Sequence, residues 1–174
     1  LSVFSKVFNE ARGYYGKQGY IAQFEKELDE RGLYTAFKTE YESVAGKPWE
    51  RGREQVILER KNIAIAYGKV TGASVENSTN ILDLYRQDYK LSIDDFSQEV
   101  KAFIEQKSSN FRLNFFVDEV GQYIADNVKL MTNLQTIAES LATKCQGRSW
   151  VIVTAQEDME TVLGEMGNHR TKDF

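Results

Sequence analysis

The feature that most constrains the fold is a pair of short, almost wholly apolar runs, residues 111–117 and 150–154, separated by a long stretch with a helical repeat. Each run is too short and too uniformly apolar for an amphipathic helix, and each fits a strand covered on both faces. Between them Leu130, Leu134, Ile137 and Leu141 recur at intervals of four, three and four, and Gly147 is placed to end that helix. Strand, crossover helix, strand is the parallel βαβ unit of an α/β fold, because parallel neighbours cannot be joined by a tight hairpin. Residues 157–165 read as one further helix, with acids in its first turn.

Residues 1–110 read instead as helices with short polar breaks. Ile21, Phe24 and Leu28 keep helical spacing, Gly32 interrupts, and Leu33, Phe37, Tyr41 and Val44 resume the stripe until Gly46-Lys47-Pro48, which predicts a helical hairpin. A helix is predicted over residues 50–69, with Val56, Ile57, Ile63, Ala64 and Tyr67 inward and a stop near Gly72. Asn77-Ser78 is placed to cap a short helix through Ile81, Leu82 and Tyr85. Ser92 caps another, with Asp94 and Asp95 at its positive end and Phe96, Val100, Phe103 and Ile104 as its buried stripe. No internal repeat or proline-rich linker is visible. The expected organisation is one incomplete α/β domain: residues 1–110 helical, residues 111–174 the βαβ segment.

The chemistry concentrates where the first strand ends, in Asp118-Glu119. A buried strand that delivers two adjacent carboxylates is the Walker B pattern of P-loop ATPases. Asp118 would organise Mg²⁺, which can be held by one carboxylate and its own waters. Glu119, pointing differently, would polarise the attacking water as catalytic base. The second strand ends in Thr154-Ala155-Gln156, and either Thr154 or Gln156 could contact the γ-phosphate or the water, as sensor 1 does in AAA+ ATPases. A plainer reading competes, since apolar core strands often run into solvated acids.

The glycine-rich loop that would complete the site is missing. Gly-Lys occurs at Gly16-Lys17, Gly46-Lys47 and Gly68-Lys69, but Gln18, Pro48 and Val70 follow, where Ser or Thr is required. Half of an ATP site is present. Leu1 at the start and a charged stretch before Phe174 lead to the expectation of a piece of a longer protein. Arg148 and Arg170 can be nominated as arginines reaching across a subunit interface.

Other chemistries fit less well. One cysteine, Cys145, and one histidine, His169, offer neither a zinc cluster nor a nucleophile–base pair, and are read as packing and surface respectively. Glu105-Gln106-Lys107 precedes Asp118 at the end of a predicted helix, which is the wrong order for a nuclease. Net charge is −4, and acids interleave with Arg51, Arg53, Arg60 and Lys61, which reads as a solvated helix face and not a phosphate-binding surface. Tyr14, Tyr15, Tyr20 and Phe24 read as packing and not as a base-stacking platform. No apolar run approaches the roughly 20 residues that cross a bilayer. These counts favour the cytoplasm.

Three stretches carry a specific resemblance: Arg112-Leu113-Asn114-Phe115-Phe116-Val117-Asp118-Glu119-Val120-Gly121-Gln122-Tyr123-Ile124, then Leu130-Met131-Thr132-Asn133-Leu134-Gln135-Thr136-Ile137, then Trp150-Val151-Ile152-Val153-Thr154-Ala155-Gln156-Glu157-Asp158. They resemble the large P-loop ATPase subunit of bacteriophage exclusion (BREX) defence systems, the BrxC/PglY family, as does Val7-Phe8-Asn9-Glu10-Ala11-Arg12-Gly13-Tyr14-Tyr15. The resemblance implies an AAA+-like bacterial ATPase using ATP and Mg²⁺. Its Walker A loop would lie upstream of Leu1, and it would act beside other BREX proteins, with DNA contact in the intact complex and possible homo-oligomer formation. Asp118 and Glu119 map onto its Walker B roles, and Thr154 and Gln156 onto the sensor strand end. Without the loop, these 174 residues alone are not expected to bind nucleotide or turn it over. The alternative is a non-catalytic helical scaffold with a degenerate site.

Overall fold

The computed structural model describes residues 1–119 and 128–154. Its contacts divide the chain between Lys90 and Leu91 into two units.

The first unit, Ser2–Lys90, is helical. Its elements are α1 (Ser2–Ala11), α2 (Gly19–Glu30), α3 (Tyr34–Ala45), one turn α4 (Trp49–Gly52) running into a 3₁₀ turn (Arg53–Gln55), α5 (Arg60–Thr71), α6 (Val75–Ser78) and α7 (Ile81–Asp88). The expected stripe is its core, with Ile21, Phe24, Leu28, Phe37 and Tyr41 buried. Phe24 meets Phe37 at 5.2 Å and Tyr85 at 5.5 Å, and Trp49 meets Phe37 at 5.1 Å and Tyr41 at 5.2 Å, all edge-on. Such pairs add about 0.5–1.5 kcal/mol each beyond the area they bury. Gly46 ends α3 at φ 67°, a conformation that costs a residue without Cβ nothing.

Two buried carboxylates tie these helices together. Glu25 on α2 is fully buried and accepts from the Tyr15 backbone N–H (2.6 Å), Trp49 Nε1 (2.7 Å) and Arg53 Nη1 (2.9 Å). Glu59, also buried, accepts from the Tyr41 hydroxyl (2.7 Å) and Asn62 Nδ2 (2.9 Å), and pairs with Lys47 (2.6 Å). Together they explain why the helix expected over residues 50–69 is broken. Arg53 must reach Glu25, and Glu59 must reach Tyr41 and Lys47. Gly52 also lies against Tyr41, so closely that a Cβ there would fall 2.0 Å from its hydroxyl oxygen. One straight helix does not satisfy all three. The break turns Ile57, expected inward, out to 73% exposure. Asn77-Ser78, expected to cap the helix through Ile81, Leu82 and Tyr85, lies instead within α6, which Ser74 caps by accepting from the Asn77 N–H; α7 starts after Asn80, without a side-chain cap.

The second unit holds α8 (Ile93–Glu105), β1 (Leu113–Val117), α9 (Val128–Lys144) and β2 (Ser149–Val153). Ser92 caps α8 by accepting from the Asp95 N–H at 3.0 Å, and Phe96, Val100 and Ile104 are buried. The strands are parallel neighbours in register from Leu113↔Ser149 to Val117↔Val153. The mixed α/β class is as expected, mostly helical with a small parallel sheet. On the covered face, Phe96 of α8 packs on Phe115 at 5.8 Å, and α9 buries Ile137 and Leu141. The opposite face, expected to be covered, is exposed at Phe116, Trp150 and Ile152. Among the described residues, no helix is long and apolar enough to cross a membrane. The helix expected over residues 157–165 lies outside the described residues, as does His169.

Two stability predictions follow from the carboxylates. Glu25→Ala strands the Arg53 guanidinium, which is only 16% exposed, and should cost the helical unit about 3–5 kcal/mol in denaturant unfolding. A loss below about 1 kcal/mol would show the guanidinium escaping to water. At Glu59, burial alone raises the carboxyl pKa, but Lys47, Asn62 and Tyr41 outweigh it and hold the group at about 2. A depressed carboxyl contributes stability above its ordinary 4.5 and loses it as pH falls toward about 2. Glu59→Gln should therefore flatten the pH dependence of stability in that window; equal slopes for both proteins would refute the assignment.

Candidate functional site

β1 and β2 end on the same edge of the sheet because they are parallel. Register then decides what stands beside what. Val117 is opposite Val153, so Asp118 and Thr154 leave the sheet side by side. The Thr154 N–H donates to the Val117 carbonyl at 3.0 Å, which carries the ladder one step past the strands. The Thr154 hydroxyl donates to Asp118 Oδ1 in a short contact. The Glu119 N–H closes the arrangement, donating to Asp118 Oδ1 at 3.0 Å and to Thr154 Oγ1 at 3.1 Å.

Glu119 has φ 54°, in the left-handed region that side chains other than glycine enter at a cost of roughly 1–2 kcal/mol. Its two amide hydrogen bonds help offset that cost. Asp118, Glu119 and Thr154 are all exposed, so water and solutes reach the edge. Both hydrogen bonds to Asp118 land on one oxygen, whereas a carboxylate has about four acceptor positions in all.

The donor set suits a hard cation that keeps most of its waters, since one carboxylate and one hydroxyl stand together in the open. Among the described residues, no three or more His, Cys, Asp or Glu come together to hold a metal by themselves. The phosphate loop is also missing from the described residues. Each lysine of the three Gly-Lys pairs is engaged by a carboxylate in the helical unit: Lys17 with Glu54 at 2.9 Å, Lys47 with Glu59 at 2.6 Å and Lys69 with Glu40 at 2.7 Å.

The structure thus brings Asp118, Glu119 and Thr154 together, while Gln156 lies outside the described residues. The third member of the cluster is a backbone group, the Glu119 amide, for which residue types give no signal. Arg148, nominated to reach a neighbouring subunit, is turned inward instead. Its guanidinium donates to the carbonyls of Ser108 (2.8 Å), Ile104 (3.1 Å) and Phe111 (3.4 Å), tying the end of α8 to the start of both strands. Arg170 lies outside the described residues. Arg53, read as part of a solvated face, is the partner of Glu25. Cys145 is buried, and that burial raises its thiol pKa, which makes it a poor nucleophile.

No protein-family model matches the chain, and no solved structure matches it.

Thr154→Val keeps the shape of the side chain and removes the hydroxyl that both Asp118 and the Glu119 amide use. Amide exchange at Glu119 should accelerate severalfold while exchange within β1 and β2 stays unchanged. An unaltered Glu119 rate would show that the hydroxyl does not hold the edge.

Proposed function

We propose that this chain is part of an ATP-hydrolysing, AAA+-like P-loop protein resembling the BREX antiphage ATPase subunit. The observation that carries the reading is the hydroxyl–carboxylate contact between Thr154 and Asp118 at one edge of adjacent parallel strands. Ligands of open α/β sheets bind at that edge.

On this reading Asp118 would hold Mg²⁺ through the ion's own waters, and the Thr154 hydroxyl fixes the rotamer of Asp118. Glu119, the next residue along, accepts a proton from the water that attacks the terminal phosphate. When bound, MgATP supplies the transferable phosphoryl group and the charge that neutralises its oxygens. A Gly-x-x-x-x-Gly-Lys-Ser/Thr loop would come from polypeptide upstream of Leu1. The intact protein is proposed to be bacterial and cytoplasmic, and to work with other BREX proteins, with DNA contact and self-association belonging to that assembly.

A second reading, a helical interaction module without turnover, draws on the helical unit. Ile57 and Leu58 are 73% and 78% exposed beside an open cavity of about 700 Å³ lined also by Tyr20, Val56, Arg86 and Tyr89. The sequence immediately upstream of Leu1 separates the two readings.

In the intact protein, Glu119→Gln should keep nucleotide binding and lower hydrolysis by about 10²–10⁴-fold, the usual size of a general-base contribution. Asp118→Asn should weaken Mg²⁺-dependent binding instead. Turnover of Glu119→Gln equal to that of the unaltered protein would refute the assigned base.

A further inference from the structure

Within the helical unit, a cavity of about 700 Å³ opens between the start of α2, the 3₁₀ turn with the residues that follow it, and the end of α7. Its walls are mainly apolar and aromatic, from Tyr20, Val56, Ile57, Leu58 and Tyr89. Tyr89 is seated against Gly19, where a Cβ would fall 1.9 Å from its hydroxyl oxygen, so the sequence leaves room there for that ring. A smaller cavity of about 30 Å³ shares Tyr20, Val56, Ile57 and Arg86 with the first and runs on to the buried Ile63 and Leu82. The two make one groove. Its charges are unbalanced, because the carboxylates on its rim are already engaged: Glu54 by Lys17 at 2.9 Å and Asp83 by Arg60 at 2.9 Å. Arg86 makes no ion pair, and the Tyr20 hydroxyl no hydrogen bond, among the described residues. The two groups lie near each other: burial raises the Tyr20 pKa, and the Arg86 guanidinium pulls it back down.

We infer that this groove binds a small amphipathic carboxylate, its acidic end on the Arg86 guanidinium and the Tyr20 hydroxyl and its apolar body along Val56, Ile57 and Leu58. The charge decides the acidic end. A guanidinium and a hydroxyl together offer donors that a carboxylate accepts, and a guanidinium can meet both carboxylate oxygens at once. The walls decide the body, since apolar and aromatic surface gains by leaving water and a few convergent polar groups then set the orientation. Size decides for a small molecule, because about 700 Å³ lies within the roughly 300–1,000 Å³ of small-molecule sites. The inference does not rest on the ATPase reading, whose residues are Asp118, Glu119 and Thr154. It gives the cavity of the second reading an occupant of stated chemistry.

The test is an NMR titration of the isotope-labelled 174-residue chain with octanoate. The amide resonances of Gly19, Tyr20, Ile57, Leu58 and Arg86 should move along one saturable curve. Octanoate should bind more tightly than hexanoate by up to about fourfold per methylene, the effect of burying each one. Arg86→Gln, an exchange at an exposed position, should weaken octanoate binding about tenfold, as expected for losing a hydrogen bond to a charged group. Octanol, which keeps the tail and lacks the charge, should bind the variant and the unaltered chain alike. Octanoate affinity unchanged by Arg86→Gln overturns the proposal, as does the absence of saturable shifts at these amides. Equal shifts at other exposed apolar residues such as Phe116 and Trp150 would mean unselective adhesion, and movement of the groove amides on dilution of the unliganded chain would assign the groove to a second copy; either result also overturns it.

Discussion

The in-register parallel pairing of β1 with β2 is the constraint on which the second unit depends. Parallel strands end at one edge, and this alone brings Asp118 within reach of Thr154, 36 residues later in sequence. It also obliges the chain to cross over, and α9 is that crossover. A slip of one residue would exchange the faces of a strand, sending Phe115 to water and Thr154 away from Asp118. The register is fastened at both ends. The Leu113 N–H donates to the Arg148 carbonyl at one end, and the Thr154 N–H donates to the Val117 carbonyl at the other. Arg148 then binds the frame to α8 through three carbonyls, so its charge serves the position of the strands.

The helical unit achieves definition differently, through buried charge. Ion pairs inside a protein are a weak source of net stability, because desolvation offsets most of the attraction. Their effect on conformation is sharper. Glu25 has to be met at once by the loop after α1, by α4 and by the 3₁₀ turn, through Tyr15, Trp49 and Arg53. A packing in which any of the three is displaced leaves a buried carboxylate or guanidinium short of a partner. Glu59 imposes the same demand on α3, through Tyr41, and on Lys47 in the turn that follows it. Apolar contacts alone would tolerate several arrangements of these short helices; the two carboxylates select among them.

These differences set what was legible in the sequence. Periodicity found the stripes of α2, α3, α8 and α9, and the two strands, because burial against a helical or extended lattice repeats at fixed intervals. It failed over residues 50–69, where apolar and charged residues are spaced as in one helix but the buried partners of Arg53 and Glu59 lie elsewhere in the chain. No local pattern records a bond to a distant Glu25. The edge was legible at Asp118 and Glu119, whose residue types are unusual after an apolar run. Placing Thr154 beside Asp118 needed register, which a single sequence does not carry, and Gln156 lies outside the described residues. The exposed face of the sheet escaped notice for the opposite reason: Phe116, Trp150 and Ile152 are apolar, and an apolar strand reads as covered whatever lies over it.

The turn at Glu119 is the point where fold and chemistry meet. A residue at φ 54° leaves the strand direction immediately, so Asp118 and Glu119 cannot behave as consecutive members of one extended segment. Asp118 is held by the Thr154 hydroxyl, while Glu119 is held through its backbone amide. On the proposed reading the two acids divide the work for that reason: a metal-organising carboxylate gains from a fixed rotamer, whereas a base must approach a water whose position the substrate sets. The same bond serves both, since the hydroxyl that restrains Asp118 also accepts from the amide that pins the turn. Removing the hydroxyl would therefore loosen the metal-organising carboxylate and the base together, and a defect confined to one of them would mean that the two acids are positioned independently.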